Sequence, residues 1–303
     1  MTRLLSSLLL LAFFVMPCQA QKKHSTTDVH RLSGLYISVD AGLLIPDAKH
    51  AQFYDGTPYR ANRIDRVLHS ELYGHEIWSD LVNSGLISPT AVGSCRELKV
   101  DEYASNMYYK LTYQLGVGIR YVYDNQWGWL LRFDYSQLSA AGQFNLSADN
   151  GTGLLGHNQY ITCDIFGIEK RTLIDFGILK RLPLSQTLDL EVAIGFDLNS
   201  TKVQKNGMRI NGKTYSILDV WGGNEPTIGM GSYEYINEGR IGYGGFGSLA
   251  LSYLCNVGSI DLGYTAYYYQ TNLHNFTPAD ANNYAMQHNI FIRFNVNNFK
   301  FFD

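Results

Sequence analysis

The 303-residue chain sets 24 Lys and Arg against 27 Asp and Glu, a formal charge of −3, with no basic patch or charged tail, so a nucleic-acid partner is excluded. Mean hydropathy is −0.13, and no segment past the N-terminus reaches the roughly eighteen uninterrupted apolar residues that a spanning helix needs. A helical membrane protein is excluded as well.

The first twenty residues read as a secretory signal: Arg3, an apolar stretch Leu4 to Val15, then the cleavage site Cys18-Gln19-Ala20, leaving Gln21 as the new N-terminus. Pro17 before Cys18 argues against lipid attachment at that cysteine. Residues 21–32 form a short lead-in, and 33–303 are expected to be a single domain.

Eight segments alternate apolar and polar residues with the period of a strand. The first is Ser33–Leu44, with Leu35, Ile37, Val39, Ala41 and Leu43 on one face and Asp40 on the other. The second, Lys110–Tyr123, separates Leu111, Tyr113, Leu115, Val117, Ile119, Tyr121 and Tyr123 from Lys110, Gln114 and Arg120. The third, Trp127–Leu138, puts Trp127, Trp129, Leu131, Phe133 and Tyr135 opposite Arg132, Asp134 and Ser136. The fourth, Gln159–Leu182, is too long for a bilayer alone and is either one strand or two, with a break near Glu169–Arg171. Thr187–Asn199, Gly239–Leu254, Ser259–Gln270 and Tyr284–Val296 complete the series.

Connections between these segments alternate. Those after strands two, four and six are short turns. Those after one, three, five and seven are long, at about 45–109, 139–158, 200–238 and 271–283. One greasy face per strand, short turns on one side and long loops on the other describe an eight-stranded antiparallel transmembrane β-barrel of the outer membrane, with ten strands as the alternative. An even count puts both termini in the periplasm and the long loops outside. The 22 Tyr suit the membrane–water girdles and the 29 Gly a narrow lumen and tight turns.

By parity the lumen receives Asp40, Asp134, Glu169, Asp175, Asp189, Glu191, Asp197 and Asp261, facing Lys110, Arg120, Arg132, Arg171, Arg240 and Arg293. Charges confined in so narrow a space should pair into a network that fills the core. The alternative is an ion path of low conductance.

Candidates for chemistry are sparse. His69-Ser70-Glu71, His75-Glu76 and His288 offer the residue types of a lipid-modifying hydrolase, or of a metal site at His69, His75 and Glu76, without a nucleophile motif or the spacing of a helical zinc site. No catalytic residue, metal or cofactor is expected. If a disulfide forms it joins Cys95 and Cys163, because Cys255 sits at a turn a bilayer away. The first long loop, about 65 residues, should carry its own structure, with a short helix in Arg63–Tyr73. Asn211-Gly212 between alternating residues signals a hairpin, which either extends the wall or presents a binding edge.

The Gln21 start after Cys-Gln-Ala, the first strand G-L-Y-I-S-V-D-A-G at Gly34–Gly42 and the last strand N-I-F-I-R-F-N-V at Asn289–Val296 resemble the small outer-membrane barrels of Bacteroidota, the PorT-like or OmpA-type β-barrel proteins. The resemblance implies location and fold more than activity. With Asp303 the last residue, no C-terminal peptidoglycan-binding domain is expected. The expected role is a surface binding, scaffold or assembly barrel whose loops meet a protein or glycan and whose wall meets outer-membrane lipid. An outer-leaflet lipid-modifying enzyme and a small channel are the alternatives.

Overall fold

The computed structural model describes residues 33–58, 62–87, 98–148, 159–218, 239–255, 258–271, 273 and 284–297. The signal segment 1–20 and the lead-in 21–32 lie outside them. In chain order the elements are β1 (Gly34–Ile45), α1 (Ala48–Ala51) continuing into a 3-10 turn at Gln52–Tyr54, α2 (Ile64–Leu68), α3 (Gly74–Asn83), β2 (Leu98–Glu102), β3 (Tyr108–Tyr109), β4 (Thr112–Val122), β5 (Trp127–Ala148), β6 (Gln159–Pro183), β7 (Leu188–Ile210), β8 (Lys213–Ser216), β9 (Gly239–Cys255), β10 (Gly258–Gln270) and β11 (Tyr284–Val296).

Eight of the strands close a ring, in the order β1-β4-β5-β6-β7-β9-β10-β11, and β11 returns to β1 with Asp40 opposite Arg293 and Ile37 opposite Val296. Every pairing in the ring is antiparallel. The chain is thus an eight-stranded antiparallel transmembrane β-barrel, neither nine-stranded nor ten. Side chains such as Val39, Val117, Phe133, Phe176, Ile194, Leu251 and Ile292 stand outward and exposed, as a lipid-facing wall requires. Short connections and the starts and ends of the ring gather at one end of the barrel, the turn end.

Three ring strands are far longer than the others: β5 has 22 residues, β6 25 and β7 23, whereas β1 has 12 and β10 and β11 have 13 each. About nine to eleven residues cross a bilayer. Each long strand therefore rises well clear of the lipid belt, and along the way its two faces exchange character. On β5 the inward side reads Arg132, Asp134, Ser136 and then Leu138, Ala140, Phe144, Leu146, all buried. Its outward side runs from Phe133 and Tyr135 to Gln143 and Asn145. On β7 the inward side passes from Glu191 and Asp197 to Val203, Met208 and Ile210. Phe196 low on the outward face is 76% exposed, while Met208 high on the inward face is 0% exposed. Lipid surrounds the lower half and water the upper, so one strand obeys opposite rules at its two ends.

The exchange explains where the sequence reading stopped short. Strands three and five were expected to end at Leu138 and Asn199, because the apolar-outward pattern ends there; the strands continue to Ala148 and Ile210. Much of the expected loops at 139–158 and 200–238 is therefore wall. The fourth strand is a single element, irregular only where its pairing with β7 shifts register between Ile168 and Glu169.

The inner face of this tall wall is covered by the chain between β1 and β4. Leu138, Phe144, Ile165 and Met208 of the wall pack in one cluster with Phe53, Tyr54, Ile64, Val67, Leu68, Ile77 and Leu81 of the helices. The short helix expected in Arg63–Tyr73 is α2, and α3 follows it, burying Ile77 and Leu81. The hairpin signalled by Asn211-Gly212 joins β7 to β8, both turn residues having positive φ (+49° and +80°). It extends the wall, and its tip is tied to α3: Lys213 Nζ meets Asp80 Oδ1 at 2.8 Å and Asn211 Nδ2 donates to Asp80 Oδ2 at 2.9 Å.

Candidate functional site

Two features set this barrel apart from a plain tube: a lumen packed with charge and a folded cap over one mouth. In the lumen the side chains meet in three tiers. Nearest the turn end, Arg120 Nη1 donates to Glu191 Oε2 at 2.7 Å, and Arg293 Nη2 to Glu191 Oε1 at 2.8 Å. Arg293 Nε also donates to Asp261 Oδ2 at 2.9 Å, while Arg181 Nε reaches Glu191 Oε2 at 3.3 Å with its guanidinium 4.6 Å from the centre of the Tyr36 ring. Asn295 Nδ2 and Ser259 Oγ complete the Asp261 carboxylate.

At mid-height Arg132 pairs with Asp134 (2.9 Å) and with Asp175, and its Nη2 donates to Tyr267 Oη at 2.6 Å. Arg132 stands on β5 and Tyr267 on β10, so this contact crosses the whole lumen. The rings of Phe246 and Tyr267 lie within 6 Å of its guanidinium carbon, a desolvated cation–π setting. Asp40 and Asp134 flank Gly116, where an added Cβ would fall within 3 Å of both carboxylates. A glycine is required there because the acids occupy the space a side chain would take.

At the mouth, Tyr54 Oη donates to Glu169 Oε2 at 2.7 Å, and Arg171 Nε to Glu169 Oε1 at 2.6 Å. Arg171 also donates to Tyr269 Oη (3.2 Å) and Tyr109 Oη (3.1 Å). Tyr269 Oη donates to Gln287 Oε1, and Gln287 Nε2 lies 3.0 Å from His50 Nδ1. His50, Tyr54 and Tyr109 belong to the cap, and the rest to the barrel wall. This tier stitches the two together. Burial, with the Glu169 carboxylate beside it, pushes the Tyr54 phenol well above its ordinary value and keeps it a donor.

Asp40, Arg120, Arg132, Asp134, Asp189, Glu191, Asp197, Asp261 and Arg293 are all buried on the inward face, as are Glu169, Asp175 and Arg171. The Asp189 carboxylate has no hydrogen-bond partner among the described residues. Arg240 pairs through its backbone with Thr201, and its side chain lies outside the description. Lys110 is a correction: it is exposed rather than in the lumen. Between Tyr109, opposite Ala140, and Gln114, opposite Ser136, the pairing with β5 slips by one residue. Lys110 and Leu111 both turn outward at that bulge, and parity counted through it fails. Parity could have found Arg181 and the inward Tyr267 and Tyr269, which the sequence reading omitted. Nothing periodic marks Tyr54 or His50, which arrive from a loop.

Ser70, His69 and His288 make structural contacts. Ser70 Oγ donates to the Val67 carbonyl at 2.8 Å and accepts from the Tyr73 amide, closing α2, and His69 Nε2 lies 3.2 Å from the Leu98 carbonyl. His288 stacks on Tyr264 on the outer wall, on the strand next to it. Among the described residues no group of three or more His, Cys, Asp or Glu is placed to hold a metal ion. Cys163 is a buried thiol that donates to the Ile161 carbonyl at 3.7 Å, and Cys255, near the turn end, donates to the Tyr253 carbonyl at 4.0 Å. Cys95, the other half of the expected disulfide, lies outside the described residues.

With ring, lumen and cap in place, the class is defined: a small closed transmembrane barrel whose interior is filled and whose one mouth is capped. No protein-family model and no curated protein matches the sequence. Among solved structures, the chain is similar to Neisserial surface protein A at 11% identity and a TM-score of 0.35, covering 87% of this chain and 97% of that one. It is also similar to Ail, the attachment invasion locus protein of Yersinia pestis, solved with the heparin analogue sucrose octasulfate, at 9% identity and a TM-score of 0.32, covering 86% and 97%. Likenesses this distant transfer no function.

Proposed function

We propose that this is an outer-membrane surface protein of the binding or assembly type, working through its capped end, with the barrel as anchor. In this reading residues 1–20 direct export, the turn end and both termini face the periplasm, and the cap faces outward toward a protein or glycan. The single observation that carries it is the tier at the mouth, where Arg171 is held by Glu169, Tyr109 and Tyr269 while Tyr54 closes over Glu169. A channel would keep its mouth open; here cap and lumen are bonded into one body. The narrower family reading, a small Bacteroidota barrel, rests on the strands Gly34–Gly42 and Asn289–Val296.

Two measurements test it. Reconstituted in planar bilayers, the protein should show at most small, rare conductance, and steady porin-like steps would sink the filled-lumen reading. In crosslinked cells, a partner captured by the intact protein should be lost from L72A/H75A/E76A. Leu72 is an exposed apolar residue just before α3, and His75 and Glu76 are exposed in its first turn, so these changes leave the cap core intact. A partner list that the triple variant does not alter would remove the cap surface from consideration.

A further inference from the structure

The outer wall carries a feature that neither the lumen nor the cap explains. On β6 and β7, just beyond the apolar belt, Lys170 stands directly opposite Lys202, and Lys205 follows opposite Ile168. Like charges facing each other across neighbouring strands repel. No carboxylate relieves them: among the described residues none of the three lysines forms an ion pair, and the β5 neighbour of Lys170 is Gln137. Lower on the same strands lies a groove of about 600 Å³ in the lipid-facing surface. Its floor is Gly245 and Gly247, and its sides include Phe176, Phe196, Tyr268 and Met286. A Cβ on Gly247 would touch nothing within 4 Å, so the space above it is unfilled by the protein.

Six residues separate Phe176 from Lys170 and Phe196 from Lys202, which is about 20 Å along a strand. With strands tilted by about 40°, the rise along the membrane normal is about 15 Å, half the thickness of the hydrocarbon layer. The groove therefore sits near mid-bilayer when the lysines sit among headgroups. One molecule fits both: an anionic head on a long apolar tail.

We infer that β6, β7 and β9 form a docking site for a phosphate-monoester lipid of the leaflet on the cap side. Its phosphate is held by Lys170, Lys202 and Lys205, and one acyl chain lies in the groove over Gly245 and Gly247. The inference rests on the membrane orientation proposed above. A dianionic phosphate removes the repulsion between the facing lysines, and the chain fills a depression that bulk lipid, free to move, packs less well.

The test is lipid retention by native mass spectrometry on the full-length barrel refolded in detergent. Diphosphoryl lipid A is the probe, with its dephosphorylated form and phosphatidylethanolamine as controls. K170Q/K202Q/K205Q should lose at least tenfold of the lipid A retained by the unmodified protein. G247L, whose Cβ has open space around it and whose side chain projects into the groove, should lose at least threefold. The dephosphorylated probe and phosphatidylethanolamine should bind the unmodified protein as weakly as lipid A binds the lysine variant. Retention within twofold of the unmodified protein in the lysine variant, or equal retention of either control lipid, would overturn the site. Insertion into phospholipid vesicles is followed in parallel. A barrel that does not insert overturns the membrane reading together with the site, whereas one that inserts but retains lipid A unselectively overturns the site alone.

Discussion

Tyr54 shows how much depends on one hydroxyl. Its phenol is the cap's donor to Glu169, a fully buried carboxylate whose other oxygen is taken by Arg171. Tyr54→Phe removes the donor to Glu169 Oε2, and the loss of a donor to a buried acceptor costs about 1–3 kcal/mol. We expect Y54F to lower the urea midpoint correspondingly, measured by amide exchange in α1 and α2. Asp80 supplies the pH dependence. The hydrogen bond from Lys213, reinforced by Asn211, holds its carboxyl below the usual value. A carboxylate lowered on folding adds stability above its unfolded pKa and loses it as pH falls through the folded one. Exchange protection over residues 207–216 should therefore fall on acidification of the native protein and be lower and flat with pH in D80N. At this scale parity located most of the lumen charges. It missed where strand periodicity breaks, at the bulge that turns Lys110 outward, and in loops such as the one supplying Tyr54.

Among elements, β5, β6 and β7 are the instructive ones. Alternation runs the length of β5 and β6 and changes phase on β7 at the bulge between Val203 and Lys205, and in all three its sign reverses where lipid gives way to water. Phe133 and Phe144 lie on the same strand, eleven residues apart; the first faces lipid and the second is buried under the cap. Phe144→Ala should cost about 3–5 kcal/mol by leaving a cavity in the cap core and raise dye binding at the capped end. Phe133→Ala should leave amide exchange in the cap unchanged. Equal effects of the two would remove the face exchange. The strand count was legible because short and long connections alternate along the chain. The strand ends were not, because a reader tracking apolar-outward residues sees the reversal at Leu138 and Asn199 as the end of the strand. The helices of the cap have no sheet-like period, so only α2 showed, through the apolar spacing of Ile64, Val67 and Leu68.

The whole molecule has one continuous interior made of two unlike materials, a charged lumen below and an apolar core above, joined at Arg171. Neither can be removed cleanly. Deleting residues 46–110 would uncover Leu138, Phe144, Ile165 and Met208, so the deletion protein should bind hydrophobic dye and aggregate in mild detergent rather than open into a pore. For the same reason α3 should lose exchange protection at the same denaturant concentration at which the barrel loses its compact electrophoretic form. Two separated transitions would show that the cap folds on its own.

The face exchange along β5–β7 also sets a sequence of events in time. Those strands have no stable side until a bilayer covers the outward face of their lower halves, since in water both the lower outward rows and the upper inward rows are greasy. Insertion settles which row is which and fixes the register of the tall wall. Only then does the surface exist onto which α1, α2 and α3 can condense. The cap, though encoded before most of the barrel, thus packs on a surface that only the closed wall provides.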